Sequence, residues 1–140
     1  MLKVVIDTNV LVSALLKPDS VPDIILSLVL SGEIILCLSE PIATEYEEVL
    51  KRERFRKLNR KKVKALLSRL KSQAQWVKPK TGLEVNLVDP EDSKFLECAM
   101  EAGSDFLITG NVKHFPKKHK DRRVISPAQF LSNIVKAFNS

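Results

Sequence analysis

The sequence predicts an α/β domain of three layers, a mostly parallel central sheet held between helices. Three observations carry this. Short apolar, β-branched runs occur at residues 2–6, 34–38 and 106–109. Segments with helical spacing of apolar residues alternate with those runs, and Gly or Pro punctuates the joins. Continuous apolar strands are buried on both faces, and regular strand–helix alternation is the pattern of a parallel sheet. The chain of 140 residues fits a single domain over 1–140.

Residues 2–6 are apolar apart from Lys3, which suits a central strand ending at Asp7. Thr8 and Asn9 are helix-capping types, and 10–16 continues as a short helix until Pro18. Pro22 fits the first turn of a second helix, whose stripe of Ile24, Ile25, Leu28 and Val29 closes near Gly32. A second strand covers 34–38. Ser39 can cap the next helix, over 40–54, in which Ile42, Tyr46, Val49 and Leu50 recur at helical spacing. A basic helix follows at 60–71, with Val63, Leu66, Leu67 and Leu70 inward, then a short strand at 75–77. Pro79, Gly82 and Pro90 mark 78–91 as a loop. A helix over 92–102 stops at Gly103, a favoured capping residue. Strands at 106–109 and 123–125 precede a last helix from Pro127, with Phe130, Leu131, Ile134 and Phe138 inward.

Composition narrows the function. With 44% hydrophobic and 29% charged residues the chain can bury a core. The longest apolar stretch, 24–30, is far below the roughly 20 residues of a membrane helix. Asp7 and Asn9 interrupt the place where a signal peptide needs an apolar run, so a cytoplasmic protein without membrane attachment is expected. Cys37 and Cys98 are too few for a disulfide framework and lack metal spacing, which predicts buried thiols.

The net charge of +6 is unevenly spread. Residues 51–72 carry eleven Lys or Arg against Glu53 alone, and 113–123 carry six against Asp121 alone. An acidic body with two basic stretches attracts polyanions on one surface while gathering carboxylates elsewhere. Arg60, Lys61 and Lys62 in the first stretch and Lys113, Lys117 and Lys118 in the second are the candidate phosphate contacts. Only Phe55 and Phe115 interleave with these charges, so no base-stacking platform is evident.

Three acids are expected to point inward. Asp7 follows a buried strand at the carboxyl end of the sheet, where open α/β sheets place their sites; a turn or cap residue is its plainer reading. On a helical wheel with Ile42 at zero, Glu45 falls at about 300° beside the apolar face, whereas Glu47 and Glu48 fall at about 140° and 240° and read as solvent-facing. With Phe95 at zero, Asp92 falls at about 60° on the buried face, although an Asp at a helix start also serves as a cap. Asn111, after the strand at 106–109, offers a fourth, uncharged oxygen. Converging carboxylates repel one another unless a hard cation joins them, and oxygen donors without a Cys or His cluster favour Mg²⁺ or Mn²⁺. Such ions act on phosphate esters.

The opening Val4-Val5-Ile6-Asp7-Thr8-Asn9-Val10, the helix bearing Glu45-Tyr46-Glu47-Glu48-Val49-Leu50, and Asp89-Pro90-Glu91-Asp92-Ser93-Lys94-Phe95-Leu96 followed by Ile108-Thr109-Gly110-Asn111 resemble the PIN domain. Within it the chain is most similar to the toxin components of toxin–antitoxin systems, relatives of the VapC-type ribonucleases. The resemblance implies a Mg²⁺- or Mn²⁺-dependent endoribonuclease, often a homodimer neutralised by an antitoxin protein. It places the family's acids on Asp7, Glu45 and Asp92, a small polar residue on Asn9, and Asn111 where many members carry a fourth acid. The expected reaction is in-line attack of a metal-activated water on single-stranded RNA, with Thr8 hydrogen-bonding near the metal. Two other readings stand beside it. One is a noncatalytic RNA-binding module of the same fold. The other is a phosphatase using Asp7 as nucleophile, which would want a second Asp where Asn9 stands.

Overall fold

A computed structural model describes residues 1–80, 90–115 and 124–139, without the side chains of 90, 138 and 139. Five parallel strands form the sheet in the order β3-β2-β1-β4-β5: β1 Lys3–Ile6, β2 Ile35–Leu38, β3 Gln75–Trp76, β4 Phe106–Ile108 and β5 Val124–Ile125. The helices among the described residues are α1 Thr8–Leu16, α2 Val21–Leu30, α3 Glu40–Leu50, α4 Arg60–Gln73, α5 Pro90–Ala102 and α6 Pro127–Asn139. None of them is long and apolar enough to cross a membrane.

The strand order explains the layers. The chain steps from β1 outward to β2 and β3, then returns past β1 to β4. Right-handed crossovers in opposite directions place their helices on opposite faces, so α5 covers β1, β2 and β4 from the side away from α1 to α4. The α/β/α arrangement expected from the sequence is the one observed. Val4, Val5, Leu107 and Ile108 are fully enclosed between the layers, as strands buried on both faces require. Phe106 of β4 meets Phe130 of α6 edge to face at 5.3 Å, which locks the last helix to the sheet.

Several boundaries differ from those expected. Helix α1 starts at Thr8, and the capping residue is Asp7 itself, which accepts from Asn9 N–H at 3.4 Å. Helix α3 stops at Leu50 instead of running to 54; a separate turn, Glu53–Phe55, then folds Phe55 into the core. The burial of Phe55 is what redirects the chain, because a straight continuation would leave its ring in water. Helix α5 begins at Pro90, two residues before Asp92, since Pro suits a first turn. It ends at Gly103, whose φ of +61° lets the chain leave the helix. In α6, Phe130 is buried but Leu131 and Ile134 are only half-buried; the side chain of Phe138 lies outside the described residues. Gly82, Arg123 and most of the loop at 78–91 also lie outside them. Cys37 and Cys98 are free and buried, and burial pushes their thiols up to about 11 and about 12.

Candidate active site

The strand order reverses at β1, whose neighbours are β2 and β4, and open α/β sheets bind ligands beyond the carboxyl ends of strands at such a reversal. Asp7 stands there. Its backbone N–H continues the ladder by donating to Ile108 O at 3.0 Å. Its side chain is turned into the protein, leaving the residue only 5% exposed. Thr109, the residue after β4, donates its hydroxyl to Asp7 Oδ2 at 2.7 Å and accepts at the same oxygen from Asn111 N–H at 3.0 Å.

Glu45 reaches this point from α3. Tyr46, fully enclosed, donates its hydroxyl to Ile6 O and so ties α3 to the end of β1. The neighbouring Glu45 is thereby held over Asp7, where Thr8 donates to Glu45 Oε2. Lys94 of α5 donates to Glu45 Oε1 at 2.6 Å. Asp92, two residues before Lys94, comes from the same helix, and His114 Nδ1 stands 3.8 Å from Asp92 Oδ2.

Asp7, Glu45 and Asp92 line one cavity of about 130 Å³ together with Thr8, Asn9, Val49, Arg52, Glu91 and Phe95. Of the sequence-selected site residues, these three acids and the auxiliary Thr8 and Asn9 are thus brought together. Asn111 is not on that wall. It is half-buried and reaches Asp7 only through Thr109. Burial pushes the Asp7 carboxyl above the ordinary Asp range and the Glu45 charge adds to the rise, while hydrogen bonds from Thr109 and Asn9 N–H offset part of it.

A hard divalent ion suits this donor set. The oxygens are carboxylates, the cavity is small and polar, and ionisation of Asp7 is opposed by burial and by Glu45, both of which a cation would counter. Among the described residues no three Asp, Glu, His or Cys side chains already stand at metal-binding separation. Glu45 instead directs its two oxygens to Lys94 and Thr8.

The candidate phosphate contacts divide differently. Lys61 and Lys62 are exposed on the first turns of α4, but the Arg60 guanidinium donates to Leu50 O and clamps α4 to the end of α3. Lys113 is exposed beside the site in the turn Val112–His114, while Lys117 and Lys118 lie outside the described residues. Glu47, expected to face solvent, is half-buried and paired with Lys71, because α4 crosses over that side of α3. Sequence reasoning passed over Thr109, Lys94 and Arg52. The signal for Arg52 was present, since it follows Glu45 by seven residues, two helical turns; nothing local marks Thr109 as the partner of a residue 102 positions away.

Comparison with known proteins bears on the fold and the family. One solved structure, VapBC2 from Rickettsia felis bound to a DNA fragment from its promoter, superposes with a TM-score of 0.58 at 16% identity, over 89% of this chain and 97% of that one. MJ1680 of Methanocaldococcus jannaschii, an uncharacterized protein, is 33% identical over 112 residues, 79% of this chain and 71% of that relative. The PIN-domain family model matches residues 3–113, the stretch that carries Asp7, Glu45 and Asp92, and the chain therefore belongs to the PIN domain family.

Proposed function

We propose that this protein is a metal-dependent endoribonuclease that cleaves single-stranded RNA, with Asp7, Glu45 and Asp92 holding Mg²⁺ or Mn²⁺. The observation that carries the reading is the meeting of three acids, from β1, α3 and α5, on the wall of one small cavity at the reversal of strand order. When bound, such an ion supplies positive charge to the phosphate oxygens and lowers the pKa of a water molecule.

The chain's own residues do the rest. Thr109 holds Oδ2 of the Asp7 carboxylate while Oδ1 accepts from Asn9 N–H. Thr8 holds Glu45 Oε2, and Lys94, which donates to Glu45 Oε1, would be available to a substrate phosphate if an ion took that oxygen. Arg52, on the rim shared with the cleft of Glu40, Thr44, Glu48 and Lys94, faces the strand as it enters. Lys61, Lys62 and Lys113 add attraction at longer range, with Lys117 and Lys118 in the same basic segment.

A toxin role, with an antitoxin protein as partner and a homodimer as the working form, is proposed from the same family membership and from the likeness in fold to a VapBC assembly. Cleavage of labelled single-stranded RNA in Mn²⁺, by the native protein and by Asp7→Asn, tests the reading. Loss of cleavage in the variant and in chelator is expected. Equal cleavage by both proteins would end the proposed mechanism, and RNA binding without cleavage by the native protein would leave a noncatalytic RNA-binding module as the better description.

A further inference from the structure

Trp76 is the one tryptophan of the chain, and it is 40% exposed. A large aromatic left in water at the end of a strand forfeits part of the stabilisation its burial would bring. This one is also fixed in place. Its indole Nε1–H donates to Lys71 O at 2.9 Å, at the last turn of α4, so the ring is anchored by its edge.

Its position is tied to the site. Trp76 pairs with Leu38, and extending the register of Val4 opposite Leu36 by two residues brings Ile6 opposite Leu38. Trp76 and Ile6 therefore share one row across the carboxyl rim of the sheet, two strand spacings apart, about 10 Å. Asp7 is the next residue after Ile6.

Lys71, which anchors the indole through its carbonyl, sends its ammonium group into a groove of about 510 Å³ between α3 and α4. Lys51, Arg60 and Lys64 line the same groove, and Glu47 is its one acid, already paired with Lys71. Lys51 and Lys64 stand on this groove beside the apolar Leu50, Val63 and Leu67, and the indole is joined to it through Lys71, so the two elements that bind an unpaired strand, cations for the backbone and a π-face for a base, occur along one helix, α4.

We propose that Trp76 is a stacking platform for an unpaired base of a nucleic-acid strand whose phosphates run along the groove of Lys51, Lys64 and Lys71. This rests on the nuclease reading of the neighbouring site and specifies how its substrate is held. It also supplies a physical reason for single-strand preference, because a base already stacked in a duplex has no free face for the indole.

The lone tryptophan reports directly on the proposal. Titration of the native protein with a twelve-nucleotide RNA in chelator, where cleavage is suppressed, is expected to quench its fluorescence saturably, and a duplex of the same length is not. Trp76→Ala is expected to weaken binding of labelled single-stranded RNA by about 10-fold or more, with Trp76→Phe retaining most of the affinity. Unaltered fluorescence with RNA fully bound by anisotropy, or equal affinity in folded Trp76→Ala, would overturn the platform and leave Trp76 to a protein partner. Failure to bind single-stranded RNA at all would overturn it too. Metal-dependent cleavage is scored separately with Asp7→Asn, so quenching without cleavage would sink the nuclease reading alone, and cleavage without quenching the platform alone.

Discussion

Thr109 and Asp7, 102 residues apart in sequence, are joined by a 2.7 Å hydrogen bond between the ends of two neighbouring parallel strands. That bond decides which way the Asp7 carboxylate faces, because Oδ2 is held by Thr109 while Oδ1 accepts from Asn9 N–H. Hydrogen bonds to charged groups contribute about 1.5–3 kcal/mol. Thr109→Val, which keeps the shape and removes the donor, is expected to reduce metal-dependent cleavage about 10-fold or more, and Thr109→Ser to restore most of it. Rates measured over a Mn²⁺ series check this; a Val variant with native rates would remove Thr109 from the site's machinery.

Asp7 is predicted to cost stability in the absence of metal. Its folded-state pKa is raised from the ordinary 3.8 by burial first of all, so between that value and the raised one the unfolded chain binds fewer protons than the folded protein. By linkage, stability is fully present below pH 3.8 and falls as pH rises through the raised value. Asp7→Asn retains a cap and an acceptor for Thr109 without the charge. Its metal-free melting temperature at neutral pH is expected to exceed the native value by about 3–5 °C, while catalysis is lost. Thermal melts in chelator test the sign, and a lower melting temperature for the variant would contradict it.

Lys94 competes with a metal ion for Glu45. The pair is about one-fifth exposed on both sides, so the ammonium group offsets carboxylate repulsion without filling a divalent ion's place. Lys94→Met is expected to lower the metal-free melting temperature, to enlarge the rise produced by saturating Mn²⁺, and to slow cleavage if the ammonium assists the phosphate. Melts with and without Mn²⁺ decide the first two points. An unchanged metal-induced rise would separate Lys94 from metal binding.

The arrangement of strands and helices was legible because each depends on local patterning. The run from Val4 to Ile6 has no polar residue, and Ile42, Tyr46 and Val49 mark a face by spacing alone. The wheel that set Glu45 beside that face and Glu47 away from it chose the acid that does reach the cavity. What was not legible lies in contacts between distant segments. No local feature tells Arg60 to cap the end of α3, or Lys71 to cover Glu47, because both depend on how α4 crosses α3. The exposure of Trp76 was hidden for the same reason: whether an aromatic in a short strand is covered depends on which distant elements pack over it, and this one is left 40% exposed.

Arg60 and its neighbours separate structure from binding. Lys61→Glu with Lys62→Glu changes two exposed charges and is expected to leave the melting temperature within about 1 °C while flattening the salt dependence of single-stranded RNA binding by about 1.4 in log–log slope. Arg60→Ala is expected to lower the melting temperature by loosening α4 from Leu50. An unaltered salt slope in the double variant would return this helix face to solvent.

Direct binding of Mn²⁺, followed by electron paramagnetic resonance or calorimetry on the native protein and on Asp7→Asn, Glu45→Gln and Asp92→Asn, tests the chelating site itself. Loss of even an outer hydrogen-bonding partner of a metal ligand costs about 10–100-fold in affinity, so each variant is expected to bind at least about 10-fold more weakly than the native chain. Native affinity in any one of the three would mean that its side chain does not hold the ion.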